Sequence, residues 1–211
     1  MADYNRLFEL VAKKEGGYQN QSTDSGNYCE GKLIGTKYGV SAILYKHIKG
    51  KCPTVEEMKN LTKNEAKEIW RRGVWNTIKG DSIKSDAIAE LILDSTGLGN
   101  SGYLHTRQAI NDTLGTKIPA TRKMVFTKEE IALINKAPEK KLIENLYLRR
   151  KNFFETHSQA DIYGKGWMNR LNEVYNRVII FAVEKKSPIV ITLGLIALSF
   201  ALYKYLFKKK N

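Results

Sequence analysis

The chain has 211 residues, 42% of them hydrophobic and 27% charged, which excludes a disordered polymer and allows one full core with a small second unit. Its net charge is +13, from 35 Lys and Arg against 22 Asp and Glu, and points to an anionic partner such as nucleic acid, a membrane surface or a wall polymer. From Glu184 onward six lysines meet one acid, which leaves +8 on the rest, spread along the chain rather than gathered in a nucleic-acid-binding stripe.

The N-terminus begins with an acid and has no long apolar run, so it does not read as a secretion signal. Residues 3–15 read as an amphipathic helix. Tyr4, Leu7, Phe8 and Val11 recur at helical spacing, and Asp3 is the expected N-cap. Glu15 continues that apolar face four positions after Val11, and Gly16 and Gly17 stop the helix. A carboxyl on an apolar face beside a polar loop is disposed to stay protonated, as a general acid must. Residues 16–38, rich in Gly, Asn, Ser, Thr and Asp, read as loop, with a short hairpin over Tyr28 to Ile34 turning at Glu30-Gly31.

Helices resume after Tyr38. Thr54 with Glu57, Thr62 with Glu65 and Thr127 with Glu130 have capping-box spacing. Asp86 to Thr96 reads as a central apolar helix, and Leu104 to Leu114 as another. Gly115 to Lys128 is irregular and basic, a domain joint. Beyond it, one helix runs from about Pro138 to His157, and a second carries a stripe of Trp167, Leu171, Val174, Val178 and Phe181 that reads as helix packing. The fold class expected from these elements is mainly α with one small β-hairpin.

From Pro188 to Lys204 no charge appears, and with Lys204 snorkelling the apolar run reaches Phe207, about the length a bilayer requires. Residues 188–207 are therefore expected to anchor the chain in a membrane. The lysines beyond favour a cytoplasmic tail with the folded part outside. Three units follow: 1–115, 116–183 and 184–211.

Cys29 and Cys52 are either bridged or two unrelated thiols. No CxxC occurs and the three histidines lie far apart, so neither metal nor cofactor is expected.

The segment EGGYQNQSTDSGNYCEGKLIGTKYGVS resembles the start of glycoside hydrolase family 108, the phage and bacterial N-acetylmuramidases. The family pattern maps to Glu15-Gly16-Gly17, Asp24-Ser25-Gly26 and Thr36-Lys37-Tyr38-Gly39-Val40-Ser41. Downstream, Trp75 to Asp81 and the run from Ala87 to Gly102, with Asp94 and Asn100, look like later elements of it. Gly166-Trp167-Met168-Asn169-Arg170 resembles the companion peptidoglycan-binding module, although Trp167 and Arg170 serve equally to hold that unit together. Three departures stand out: Asn27 in place of a second loop glycine, about eight extra residues from Tyr28 to Gly35, and Asn76 in place of an Asp.

The resemblance implies a mainly α, lysozyme-like α+β fold and a peptidoglycan hydrolase that cleaves the β-1,4 bond between N-acetylmuramic acid and N-acetylglucosamine, anchored through residues 188–207 in the bacterial inner membrane with its folded part periplasmic. Glu15 would be its general acid and Asp24 the second carboxylate, with Glu30 as the alternative. Tyr18, Thr36 and Tyr38 would be cleft residues that bind substrate. A phage lysis role in a Gram-negative host fits. Two other readings remain: a lytic transglycosylase using Glu15 alone, and a non-catalytic wall-binding or virion structural protein. Nucleic acid is not an expected partner.

Overall fold

The computed structural model describes residues 1–97 and 99–184, without the side chains of Lys14, Glu15, Phe181, Val183 and Glu184. The apolar run at 188–207 and its basic tail lie outside the described residues. Among the described residues no helix is long and apolar enough to cross a membrane.

Helix α1 spans Tyr4–Glu15, and the Asp3 carboxylate caps it by accepting from the Asn5 and Arg6 amides. Tyr4, Leu7, Phe8, Val11 and Ala12 are buried, the face that the apolar spacing predicts. Gly16, at φ +64°, ends the helix in a conformation that costs glycine little.

Two small hairpins follow. Strands β1 (Tyr28–Cys29) and β2 (Lys32–Leu33) pair across Glu30 and Gly31, both at positive φ. Strands β3 (Thr36–Lys37) and β4 (Val40–Ser41) pair across Tyr38 and Gly39, again both at positive φ. Two central residues at positive φ match the right-handed twist of the flanking strands. The first hairpin is the expected one; the second occupies a stretch expected to be loop. A disulfide joins Cys29 to Cys52 and ties the first hairpin to the segment after α2 (Ala42–Lys49).

Helices α3 (Val55–Asn60) and α4 (Lys63–Trp70) each open on a complete capping box, at Thr54/Glu57 and Thr62/Glu65. The chain then widens into a π turn over Arg71–Trp75. Gly80 lies flat on the Trp75 indole, where a Cβ would come within 2.2 Å of the ring. The indole N–H donates to Asp81 at 2.8 Å, and Asp81 also accepts from Arg71. That packing accounts for a Trp, a Gly and an Asp at this spacing.

Helix α5 (Asp86–Gly97) is the axis of the molecule, with every residue from Ala87 to Thr96 buried. Such a helix must answer its own polar groups, and α5 carries Glu90 and Asp94. Asp94 accepts from Arg150 Nη1 and from Arg170 Nε, each at 2.9 Å. Glu90 accepts from Arg177 Nε at 2.8 Å. Burial pushes the Asp94 carboxyl up, but the Arg150 and Arg170 guanidiniums outweigh it and hold the group below the usual carboxylate range. The arginines belong to α8 (Glu139–Thr156) and α9 (Ala160–Glu184), which pack on each other and on α5, with α8 also against α6 (Ser101–Leu114).

Between α6 and α7 (Lys128–Lys136) the chain has no helix or strand, as its composition predicts, yet it is pinned. The buried Arg107 guanidinium donates to the carbonyls of Thr121, Lys123 and Val125 and to Glu130, which also completes the Thr127 capping box. Residues on both sides of the joint expected near 115 thus share one core, from Leu7 and Leu91 to Leu146 and Val174.

Candidate active site

Glu15 is the last residue of α1, one turn beyond buried Val11. Its carboxyl group lies outside the described residues. The chain after it returns to the second hairpin. Gln19 and Thr36 exchange both backbone hydrogen bonds, at 2.9 and 2.8 Å, so the loop leaving α1 is stitched to β3.

That stitch brings four polar side chains together. Asn27 is fully buried at the centre. Its amide nitrogen donates to the Gln19 side-chain oxygen and to the Gln21 carbonyl, both at 2.9 Å. Its oxygen accepts from the Thr36 hydroxyl at 2.7 Å and from the Gln19 amide at 3.2 Å. The Asn27 carbonyl accepts from the Ile34 and Gly35 amides. Every hydrogen-bonding group of this side chain is used, which is what a buried amide requires.

Asp24 stands at the rim of this cluster and is exposed. One carboxylate oxygen caps the 3-10 turn Ser25–Asn27 by accepting from the Gly26 amide at 2.9 Å. The other has only a long contact, 3.4 Å, from the Gln19 amide. It is an acceptor open to solvent, able to take a proton or hold a water. Glu30, the alternative carboxylate, sits at the tip of the first hairpin and pairs with Lys46 at 2.9 Å. That hydrogen bond, with the nearby ammonium charge, holds its carboxyl below the ordinary range.

The Thr36 hydroxyl is spent on Asn27 rather than on its own backbone. Tyr18 donates its phenol to the Ile34 carbonyl at 2.8 Å. Its ring lies against Gly35, at φ +108°, where a Cβ would approach the ring and the Gln19 carbonyl to 2.6 Å. The Lys59 ammonium stands 5.6 Å from the ring centroid on Tyr18. Tyr38 forms the tip of the second hairpin at φ +49°, and its carbonyl accepts from the Trp70 indole at 3.1 Å. Thr36, Asp24 and Tyr18 therefore belong to one assembly with Gln19 and Asn27, while Tyr38 is tied to α4.

Gln19, Asn27 and Gly35 do not emerge from the sequence as site residues. The signal for Asn27 was present as a departure from the loop pattern. An Asn replacing a glycine there makes four side-chain hydrogen bonds that a glycine cannot.

Residues 8–99 match the family model Glycosyl hydrolase 108. The matched segment contains Glu15, Tyr18, Asp24, Thr36 and Tyr38, and supports a glycoside hydrolase. No curated protein matches the chain. The structure of SagA from Brucella abortus matches with a TM-score of 0.69 at 23% identity, over 85% of this chain and 95% of that one. At that identity the likeness shows a shared fold. It extends well beyond the segment that the family model matches.

Proposed function

We propose that the protein is a peptidoglycan hydrolase that cleaves the β-1,4 bond after N-acetylmuramic acid, with Glu15 as general acid. The observation that carries this reading is the match of residues 8–99 to a glycosyl hydrolase family, with Glu15 the last residue of α1, four positions before Gln19 of the Gln19–Asp24–Asn27–Thr36 cluster. Glu15 gives its proton to the glycosidic oxygen as the bond from the anomeric carbon breaks. Water then adds at that carbon, and its proton returns to a carboxylate. In this reading Asp24 orients the water. Tyr18 and Thr36 hold the loop that carries Asp24, and Tyr38 presents its ring at a hairpin tip. Residues 116–183 extend the wall-facing surface, and the basic charge suits an anionic polymer. The apolar stretch at 188–207 would anchor the protein in a bacterial inner membrane with the site on the periplasmic side, consistent with a phage lysis role.

The test is release of soluble glycan from purified sacculi by the wild type and by Glu15→Gln. A drop of at least ~100-fold is expected, the usual scale for losing a general acid. Undiminished release by the variant would sink the assignment. A second reading, a lytic transglycosylase using Glu15 alone, draws on one observation: one Asp24 oxygen is already spent as a turn cap. Product mass decides, since an anhydro end is one water lighter than a hydrolysed one.

A further inference from the structure

A second pocket, of about 190 Å³, opens where α5, α6, α8 and α9 converge. Its wall is aromatic: Phe153, Phe154, His157 and Trp167 line it, with ring centroids 5.1–5.9 Å apart between neighbours. Such a wall suits the face of a sugar ring or an apolar body. Its polar lining combines Ser95, Ser101 and Arg150 with the His105 and His157 imidazoles and the Gln159 amide. Ser95 is 2% exposed, and its hydroxyl has no hydrogen-bond partner among the described residues. A buried hydroxyl left without a partner is costly and calls for an occupant. Arg150 is also 2% exposed; its guanidinium spends Nη1 on Asp94, stacks 5.2 Å from the Phe154 centroid and makes no other hydrogen bond among the described residues. Ser101 opens α6, a 14-residue helix whose Asn100 cap makes no side-chain hydrogen bond. The positive end of that helix therefore faces the same space. His105, on the same wall, reads the local field. Burial, and then the charges of Arg150, Arg122 and Arg149, push its imidazole down to about 4.

We propose that this pocket binds a carboxylate-bearing group of roughly single-ring size, the carboxylate taken by Arg150, Ser95 and Ser101 and the body laid on Trp167 and Phe153. Two sources share that chemistry: the lactyl acid of a muramic sugar and the free carboxylate of a short wall peptide. The choice of these two rests on the hydrolase reading; the donor set and the aromatic wall do not.

The chain contains three histidines, two of them in the pocket, so their ring resonances report the site directly, with His47 as internal control. The full chain in detergent solution is titrated with N-acetylmuramic acid, with N-acetylglucosamine, and with N-acetyl-D-alanyl-D-alanine. An acid probe should move His105 and His157 but not His47. It should also raise the His105 titration midpoint by about 1 pH unit, because a nearby anion favours imidazolium. The neutral sugar should bind at least ~10-fold more weakly, and Ser95→Ala should weaken the acid by about 5–10-fold, the worth of one buried hydrogen bond. A response to the sugar acid names the glycan as the source, and a response to the dipeptide names the peptide. Equal response to the neutral sugar, no response to either acid, or an unaffected Ser95→Ala variant overturns the proposal. Glycan release measured on the same samples keeps the two readings apart. Wall cleavage with silent histidines removes only the pocket, and responsive histidines without cleavage remove only the hydrolase.

Discussion

Replacing Asn27 by Ala removes the centre of the loop that follows α1. The side chain makes three hydrogen bonds at 2.7–2.9 Å and a fourth at 3.2 Å. At about 1 kcal/mol net for each good bond, and with water able to reach exposed Gln21, the loss comes to about 3 kcal/mol. For a chain of this size that lowers the melting temperature by about 6–12 °C. Differential scanning calorimetry measures it. Wall degradation, assayed at least ~15 °C below the variant's own midpoint, separates the loop from global stability. Loss of order around Thr36 and Asp24 should lower activity there by ~10-fold or more. A melting shift under about 2 °C, with activity intact, would refute the assignment of Asn27 as the fastening of the loop.

The Cys29–Cys52 bridge closes a sequence separation of 23, and chain entropy puts its contribution at about 3 kcal/mol. Calorimetry with and without a thiol reductant should therefore show a fall of about 6–12 °C. Asp94→Asn keeps the shape but leaves two arginines around a neutral amide. Urea denaturation should show a loss of about 3–5 kcal/mol at pH 6. Because the folded carboxyl titrates below its unfolded value of about 3.9, its stabilisation is complete above that pH and fades as pH falls through the lower folded value. Wild type should then lose stability below pH 4 more steeply than the variant, and parallel curves would contradict the buried ion cluster.

Local chemistry was legible in the sequence. All three capping boxes form, because Thr and Glu three apart need only each other and the backbone between them. The first hairpin turns at Glu30-Gly31 as predicted. The second was hidden because its turn places Tyr38, a bulky residue, at positive φ, and nothing short-range in a Tyr-Gly pair demands that. Arg107 reads as one more basic residue on a helix; only its long-range partners reveal that it orders residues 121–125. The same holds for Asp94, a motif residue in the sequence whose partners lie 56 and 76 positions later. Of the candidate site, the residue types and their order could be read directly. The sharing of Thr36 between the hairpin and Asn27 could not, since it depends on the Gln19–Thr36 bridge.

Those separations also set a timetable. The stretch that matches a glycosyl hydrolase family ends at residue 99, but the arginines that balance Asp94 and Glu90 arrive at 150, 170 and 177. A nascent chain that has just finished α5 can pack it against α1, but it lacks the counter-charges of the two buried carboxylates. At 5–20 residues per second, roughly 4–15 s pass before the last arginine is synthesised. Until then the side of α5 that α8 and α9 cover is unfilled. The segment that matches the family model thus depends for its charge balance on arginines that lie outside it.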